Sequence, residues 1–195
     1  MMTDSDTKSV VLVGVGGQGI LLASGIVAKA AMLSGHQVKT NEVHGMAQRG
    51  GSVIAYVRYG TEVFSPTVPE GTADVLGALE QIEALRYAHY IAPDGLAVVN
   101  AQSVVPVTVS SGAATYPEDV ADRLKRAFPR LVYFDAGKKA VELGNIRATN
   151  IVLLGALSRG LDLPQEAWKA AIASSVKEKQ RDLNLRAFEI GRNIE

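Results

Sequence analysis

The sequence predicts an α/β fold in which a mostly parallel β-sheet is flanked by helices. Short runs of apolar and β-branched residues, such as 10–13, are typical of strands buried on both faces. They alternate with longer segments whose apolar residues recur at helical spacing, such as 18–33. From about Ala136 onward only the helical pattern continues, so we expect a helical C-terminal third.

The composition is that of an ordinary globular protein. With 195 residues, of which 47% are hydrophobic and 21% charged, the chain can form one full-sized domain over residues 1–195. We expect the polar, acidic residues 1–9 to be frayed. The 20 basic and 20 acidic residues cancel, so no overall field would attract nucleic acid or an anionic membrane.

The absence of cysteine narrows the chemistry open to this chain. It excludes disulfides, thiolate zinc sites and cysteine-held iron–sulfur clusters, and we predict no metal site. It also fits a cytoplasmic protein. No secretory signal is recognisable at the start, and every apolar run is shorter than the roughly 18–20 residues of a membrane span, so we expect no membrane association.

The individual elements follow from periodicity and turn residues. The first strand, 10–13, leads through a glycine turn into a helix over 18–33, which Gly35 can terminate. A second strand is predicted at 37–40, and alternation over 52–59 followed by 63–64 predicts a β-hairpin. The remaining predicted strands are 74–79, 96–100 and 131–134, and the remaining helices are 80–90, 117–128, 136–143, 149–159, 164–174 and 185–194.

The glycine turn carries the first functional signal. Gly14, Gly16 and Gly19 have the G-x-G-x-x-G spacing of a Rossmann-like fold, directly after a buried strand and before a helix. Glycine there permits a sharp turn, close approach of a phosphate or tight helix–strand packing, and the helix start forms an anion site. We therefore take these residues, with Gly17 and Gln18, as cofactor-binding candidates. The alternative is a turn that needs glycine for packing alone.

The second functional signal is the segment 41–51, which is too rich in functional side chains for a plain connector. Following the second strand, it should emerge at the same sheet edge as the glycine turn. Arg49 offers a guanidinium for phosphate or carboxylate, and Gly50 would allow close approach. His44 is a binding candidate and the single catalytic candidate. Glu42 lies 23 residues beyond Gly19, near where an acid contacts ribose in dinucleotide folds.

Three polar residues near predicted helix starts have a simpler explanation. Asn100, Asp135 and Asn150 follow strand ends or precede helices, where side-chain capping accounts for them. Asn150 is nevertheless retained as a binding candidate. The chain has no H-E-x-x-H motif, phosphate-loop lysine or nucleophile elbow, which leaves metalloprotease, kinase-type and hydrolase functions without support.

Taken together, four segments resemble a known family over about Val10 to Gly191. They are GVGGQGILLASGIVAKAA, EVHGMAQRGGSV, ALEQIEALRY and GNIRATNIVLLGAL. They are similar to the gamma subunit of the 2-oxoacid:ferredoxin oxidoreductases and equally to the beta subunit of indolepyruvate oxidoreductase. The E-V-H-G-M-A-Q-R-G-G block is far more specific than the glycine turn.

The resemblance implies a subunit of a larger enzyme. Such assemblies decarboxylate a 2-oxoacid oxidatively on thiamine diphosphate and Mg, and they pass the electrons through iron–sulfur clusters to ferredoxin. Their substrates include pyruvate, 2-oxoglutarate, ketoisovalerate and indolepyruvate. They often form an acyl-coenzyme A. The resemblance places thiamine diphosphate on alpha- and beta-type partners and the clusters on a ferredoxin-like subunit. It makes residues 16–19 and Arg49 candidates for holding coenzyme A, with closure over the active site as another role.

Two other interpretations stay open at this point. One is a stand-alone nicotinamide or flavin oxidoreductase with Glu42 on the ribose and His44 as acid. The other is a purely structural subunit whose glycines serve packing. A homodimer of the isolated chain is also compatible with the sequence.

Overall fold

A computed structural model describes residues 7–45, 50–105, 107–113 and 115–194. Within these ranges the strands are β1 (Lys8–Val15), β2 (Gln37–His44), β3 (Ser52–Gly60), β4 (Ala73–Ala78), β5 (Ile91–Asn100) and β6 (Arg130–Phe134). The helices are α1 (Ile20–Leu33), α2 (Gln81–Arg86), α3 (Val107–Ser110), α4 (Val120–Ala127), α5 (Ala136–Glu142), α6 (Thr149–Leu157), α7 (Gln165–Ser175) and α8 (Arg181–Arg192). The predicted α/β fold is confirmed.

The six strands form one mixed sheet in the order β2-β3-β1-β4-β5-β6. The pairs β1–β4, β4–β5 and β5–β6 are parallel, whereas β3 is antiparallel to both of its neighbours. The predicted hairpin over 52–64 is wrong. Val63 and Phe64 are not in a strand, and β3 forms its hairpin with the preceding strand β2 instead.

The alternation of side chains in β1 explains why this strand is continuously apolar. Val10 and Leu12 belong to one hydrophobic core, and Val11 and Val13 belong to the other. Successive side chains of a strand point to opposite faces, so a strand covered on both sides must be apolar at every position. Helices α1 and α5–α8 supply the first core, and α2 and α4 supply the second.

The C-terminal third is helical, as predicted, and it covers the same sheet face as α1. Helices α6 and α8 cross at Gly155 and Gly191, where an added Cβ would overlap the backbone of the opposite helix. None of the helices within the described ranges is both long and apolar enough to cross a membrane.

Several predicted boundaries shift. Lys8 and Ser9, expected to be frayed, belong to β1 and pair with Tyr59 and Arg58 of β3. Asp74 also accepts hydrogen bonds from the Lys8 ammonium at 2.9 Å and the Ser9 amide at 2.8 Å. The turn expected at 93–95 is part of β5. The helix predicted from residue 117 begins at Val120.

Candidate functional site

The glycine turn spans the end of β1 and the start of α1. Gly17 and Gly19 have φ angles of 105° and 84°, in the left-handed region that residues with a Cβ rarely adopt. Gly14 is needed for another reason, because a Cβ there would lie 2.7 Å from Oε1 of Gln18. Sharp turning and close packing, two of the three uses predicted for these glycines, are therefore both present.

Helix α1 begins without any capping group of its own. Its N-cap is Gly19, no side chain in the described part of the chain caps it, and no acidic residue lies in its first turn. The first N–H groups of an α-helix have no intrahelical acceptor, and the helix start carries partial positive charge. These donors border a cleft of 450 Å³, whose lining residues are Gly16, Gly17, Gly19, Ile20, Leu21, His44 and Val53. The arrangement meets the physical requirements of an anion site.

The segment between β2 and β3 meets the glycine turn, as the sequence predicts. The Gly16 amide donates to the Gly51 carbonyl at 2.8 Å, and the Gly50 amide donates to the Gly16 carbonyl at 3.3 Å. The geometric reason differs from the expected one, because β2 is separated from β1 by the antiparallel strand β3. Residues 46–49 lie outside the described residues, so the role of Arg49 stays a prediction.

His44 and Glu42 lie on the edge strand β2 rather than in a loop. His44, the last residue of β2, lines the cleft, and its Nδ1 lies 3.2 Å from the Gly45 carbonyl oxygen. Glu42 accepts a hydrogen bond from the Ser24 hydroxyl of α1 at 3.3 Å, and it does not line the cleft. Of these two candidates, the structure brings only His44 to the glycine turn.

The side-chain amide of Gln18 forms hydrogen bonds within the protein. Its Oε1 accepts from the Val15 amide at 2.7 Å, and its Nε2 donates to the Leu79 carbonyl at 3.1 Å and to Oε1 of Gln102 at 3.2 Å. The side chain therefore ties the turn to the ends of β4 and β5. This geometry makes Gln18 a residue that positions the turn, and its contact with a ligand stays a prediction.

Asn150 joins the glycine turn to the helical third. It is 4% exposed, and its Nδ2 donates to the Gly19 carbonyl at 3.2 Å. Its Oδ1 is buried without a hydrogen-bond partner among the described residues. The N-cap of α6 is Ala148, so capping does not explain Asn150. A Cβ on Gly19 would lie 2.6 Å from Nδ2, which shows how closely the two residues pack.

Capping does explain the other two polar residues. Asp135 caps α5, since its Oδ1 accepts from the Lys138 amide at 2.7 Å. Asn100 accepts from the Ala136 amide at 2.9 Å at the start of the same helix. Neither lines the cleft.

A buried carboxylate, which could not be recognised in the sequence, holds the start of β3. Glu83 of α2 is 5% exposed and accepts hydrogen bonds from the Ser52 hydroxyl and from Nε of Arg86, the latter at 3.1 Å. The Ser52 hydroxyl also lies 3.0 Å from the Tyr87 hydroxyl. Because Ser52 follows Gly51, this cluster fixes the strand end that meets the glycine turn. An acid on an amphipathic helix is ordinarily exposed, so periodicity gave no sign of its burial.

The chain is similar to known proteins over nearly its whole length. The model of the family described as pyruvate ferredoxin/flavodoxin oxidoreductase matches residues 9–194. Among curated proteins, indolepyruvate oxidoreductase subunit IorB of Thermococcus kodakarensis is 48% identical over 190 residues, which cover 94% of this chain and 93% of the relative.

Solved structures share the fold. The gamma subunit of a keto/oxoacid ferredoxin oxidoreductase from Geobacter sulfurreducens is 26% identical with a TM-score of 0.70, covering 94% of this chain and 95% of its own. A 2-oxoglutarate:ferredoxin oxidoreductase from Magnetococcus marinus, with 2-oxoglutarate, coenzyme A and succinyl-CoA bound, is 21% identical with a TM-score of 0.72. That match covers 97% of this chain but 31% of the larger protein, and it shows a common fold.

Proposed function

Because the chain belongs to the pyruvate ferredoxin/flavodoxin oxidoreductase family, we propose that it is the gamma-type subunit of an assembly that oxidises an aryl 2-oxoacid such as indolepyruvate. In this reaction the bond between the carbonyl carbon and the carboxylate breaks, and CO₂ leaves. Two electrons pass to ferredoxin, the acyl carbon bonds to the sulfur of coenzyme A, and the thiol proton is released. The 48% identity with an indolepyruvate oxidoreductase subunit supports the substrate class.

The chemical steps are assigned to partner chains. With no cysteine, this chain cannot supply the thiolates of iron–sulfur clusters, so a ferredoxin-like partner would hold them. Thiamine diphosphate with Mg, on alpha- and beta-type partners, would supply the decarboxylation chemistry. The contribution proposed for this chain is to bind and orient coenzyme A.

The observation that supports coenzyme A binding is the uncapped start of α1 beside an open cleft. Coenzyme A contains a diphosphate, and the first turn of α1 offers it backbone N–H groups that have no intrahelical acceptor and carry partial positive charge. Gly17 admits close approach, because no atom of the described residues lies within 4 Å of a Cβ built there. His44 on the cleft wall, Gly50 beside the turn and Arg49 in the adjoining segment complete the proposed contact set.

The glycine turn can be tested in the assembled enzyme, purified with its partner subunits. Replacing Gly17 with valine would fill the approach to the turn. Gly35 is the matched control. Its φ is 85° and no described atom lies within 4 Å of its added Cβ, but it lies at the opposite end of α1. We expect Gly17→Val, but not Gly35→Val, to weaken coenzyme A binding in calorimetry by at least about tenfold.

Two results would contradict the proposal. Unchanged coenzyme A affinity and KM in Gly17→Val would favour a purely structural subunit. Tight nicotinamide or flavin nucleotide binding by the lone chain, without a response to coenzyme A, would favour the stand-alone oxidoreductase. The subunit names of the relatives argue against that second alternative.

A further inference from the structure

A second cleft, here called the basic cleft, lies next to the glycine turn and collects positive charge. It has a volume of 400 Å³ and is formed by the start of α6 and by the segment that joins α7 to α8. Arg147, Lys177 and Lys179 line it, together with the amide side chains of Asn145 and Gln180. The proposed site at the glycine turn does not include any of these residues.

The three cations are free to bind an anion. All three are exposed, and none forms a salt bridge with an acid in the part of the chain that the structure describes. Many other basic residues are paired; Lys8, for example, lies 2.9 Å from Asp74. Glu178 separates the two lysines along the chain but does not line the cleft. Cations that converge on a concavity without acidic partners indicate a small, multiply charged anion.

Two structural links connect the basic cleft to the cleft at the glycine turn. Leu21 lines the cleft at the glycine turn, and the next residue, Leu22, lines the basic cleft. Both clefts therefore border the first turn of α1, on neighbouring sides of the helix. The start of α6 provides the second link, because Ala148 lines the basic cleft while Asn150 donates to Gly19.

We propose that the basic cleft binds the 3′-phosphate of the coenzyme A molecule whose diphosphate lies at the glycine turn. This inference rests on the proposed function. Coenzyme A carries its diphosphate and its 3′-phosphate on the same ribose, so it needs two anion sites close together. A phosphate monoester is a dianion near neutral pH, which suits a group of two lysines and an arginine. The concave shape favours such a compact group over the flat acidic surface of a protein.

The test compares coenzyme A with 3′-dephospho-coenzyme A, which lacks only this phosphate. Dissociation constants are measured by calorimetry on the assembled enzyme for three forms: the natural protein, the Lys177→Gln/Lys179→Gln variant and a control. The control, Lys125→Gln/Arg126→Gln, removes two exposed charges from α4, which lies on the other face of the sheet. The Lys177→Gln/Lys179→Gln variant, here called the cleft variant, should bind coenzyme A about tenfold more weakly than the natural protein does. It should bind 3′-dephospho-coenzyme A with nearly the natural affinity.

The outcomes separate this inference from the proposed function. Loss of the preference for coenzyme A in the cleft variant, with the control unchanged, supports the basic cleft as the 3′-phosphate site. A preference that survives in the cleft variant, or natural protein that binds both ligands equally, overturns the inference and leaves coenzyme A binding intact. No binding of either ligand by the natural assembly would overturn both.

Discussion

Gly19→Ala tests which interactions hold the glycine turn, because this substitution should lower the free energy of unfolding in two separable ways. The first is backbone strain, since a left-handed φ of 84° costs a residue with a Cβ about 1–2 kcal/mol. The second is steric. The new Cβ would lie 2.6 Å from Nδ2 of Asn150, which must move and give up its hydrogen bond to Gly19, at a cost of about 1 kcal/mol.

Gly35→Ala isolates the first cost. Its φ is 85°, almost identical to that of Gly19, and no heavy atom of residues 7–45, 50–105, 107–113 or 115–194 lies within 4 Å of the added Cβ. Both substitutions also restrict the unfolded chain in the same way, so that effect cancels in their difference. Gly19→Ala should therefore lower the free energy of unfolding by about 1 kcal/mol more than Gly35→Ala does.

A double-mutant cycle with Asn150→Ala completes the measurement. Once Asn150 is truncated, the steric cost at residue 19 disappears and only the strain remains. In urea denaturation of the full chain, the summed losses of unfolding free energy in the two single variants should then exceed the loss in the double variant by about 1 kcal/mol. Equal losses for Gly19→Ala and Gly35→Ala, or additivity within about 0.3 kcal/mol, would refute this account of the contact.

Three further substitutions test other contacts around the site. Gln18→Ala removes the three hydrogen bonds of that side chain, so urea denaturation should show a loss of about 2 kcal/mol and calorimetry a weaker affinity for coenzyme A. Glu83→Ala leaves the Ser52 hydroxyl without its carboxylate acceptor, and hydrogen exchange at the glycine turn should accelerate; unchanged protection would contradict the role given to Glu83. Gly191→Ala places a Cβ against the Val152 carbonyl, so thermal unfolding should show that the free energy of unfolding falls by about 3 kcal/mol. An unchanged stability would mean that α6 and α8 can move apart without loss of packing energy.

The elements that sequence analysis placed well are those whose signal is local. The first strand is apolar at successive positions because both of its faces are covered, and α1 is framed by the glycine turn and by Gly35. The helices of the last third follow from periodicity in the same way. Edge strand β2 was predicted to end at residue 40 but continues to His44, because its exposed polar residues give no hydrophobic alternation.

Strand pairing could not be obtained from the same information. The residues 52–60 have a clear strand pattern, but that pattern does not say whether the partner precedes or follows them. The predicted hairpin chose the following segment, whereas in the fold β3 lies between β2 and β1. Pairing depends on which edges meet when the sheet assembles, and this is a nonlocal property.

The glycine turn, the alternation of strands and helices and the resemblance that led to the family could all be inferred without a structure, because they reside in short runs of neighbouring residues. How each side chain is used, in contrast, depends on the tertiary structure. It turned Gln18 inward onto β4 and β5, brought Asn150 against Gly19 from 131 positions away and buried Glu83 beneath Ser52. It also set the basic cleft beside the glycine turn, since packing of the helical third on α1 joins residues far apart in the chain.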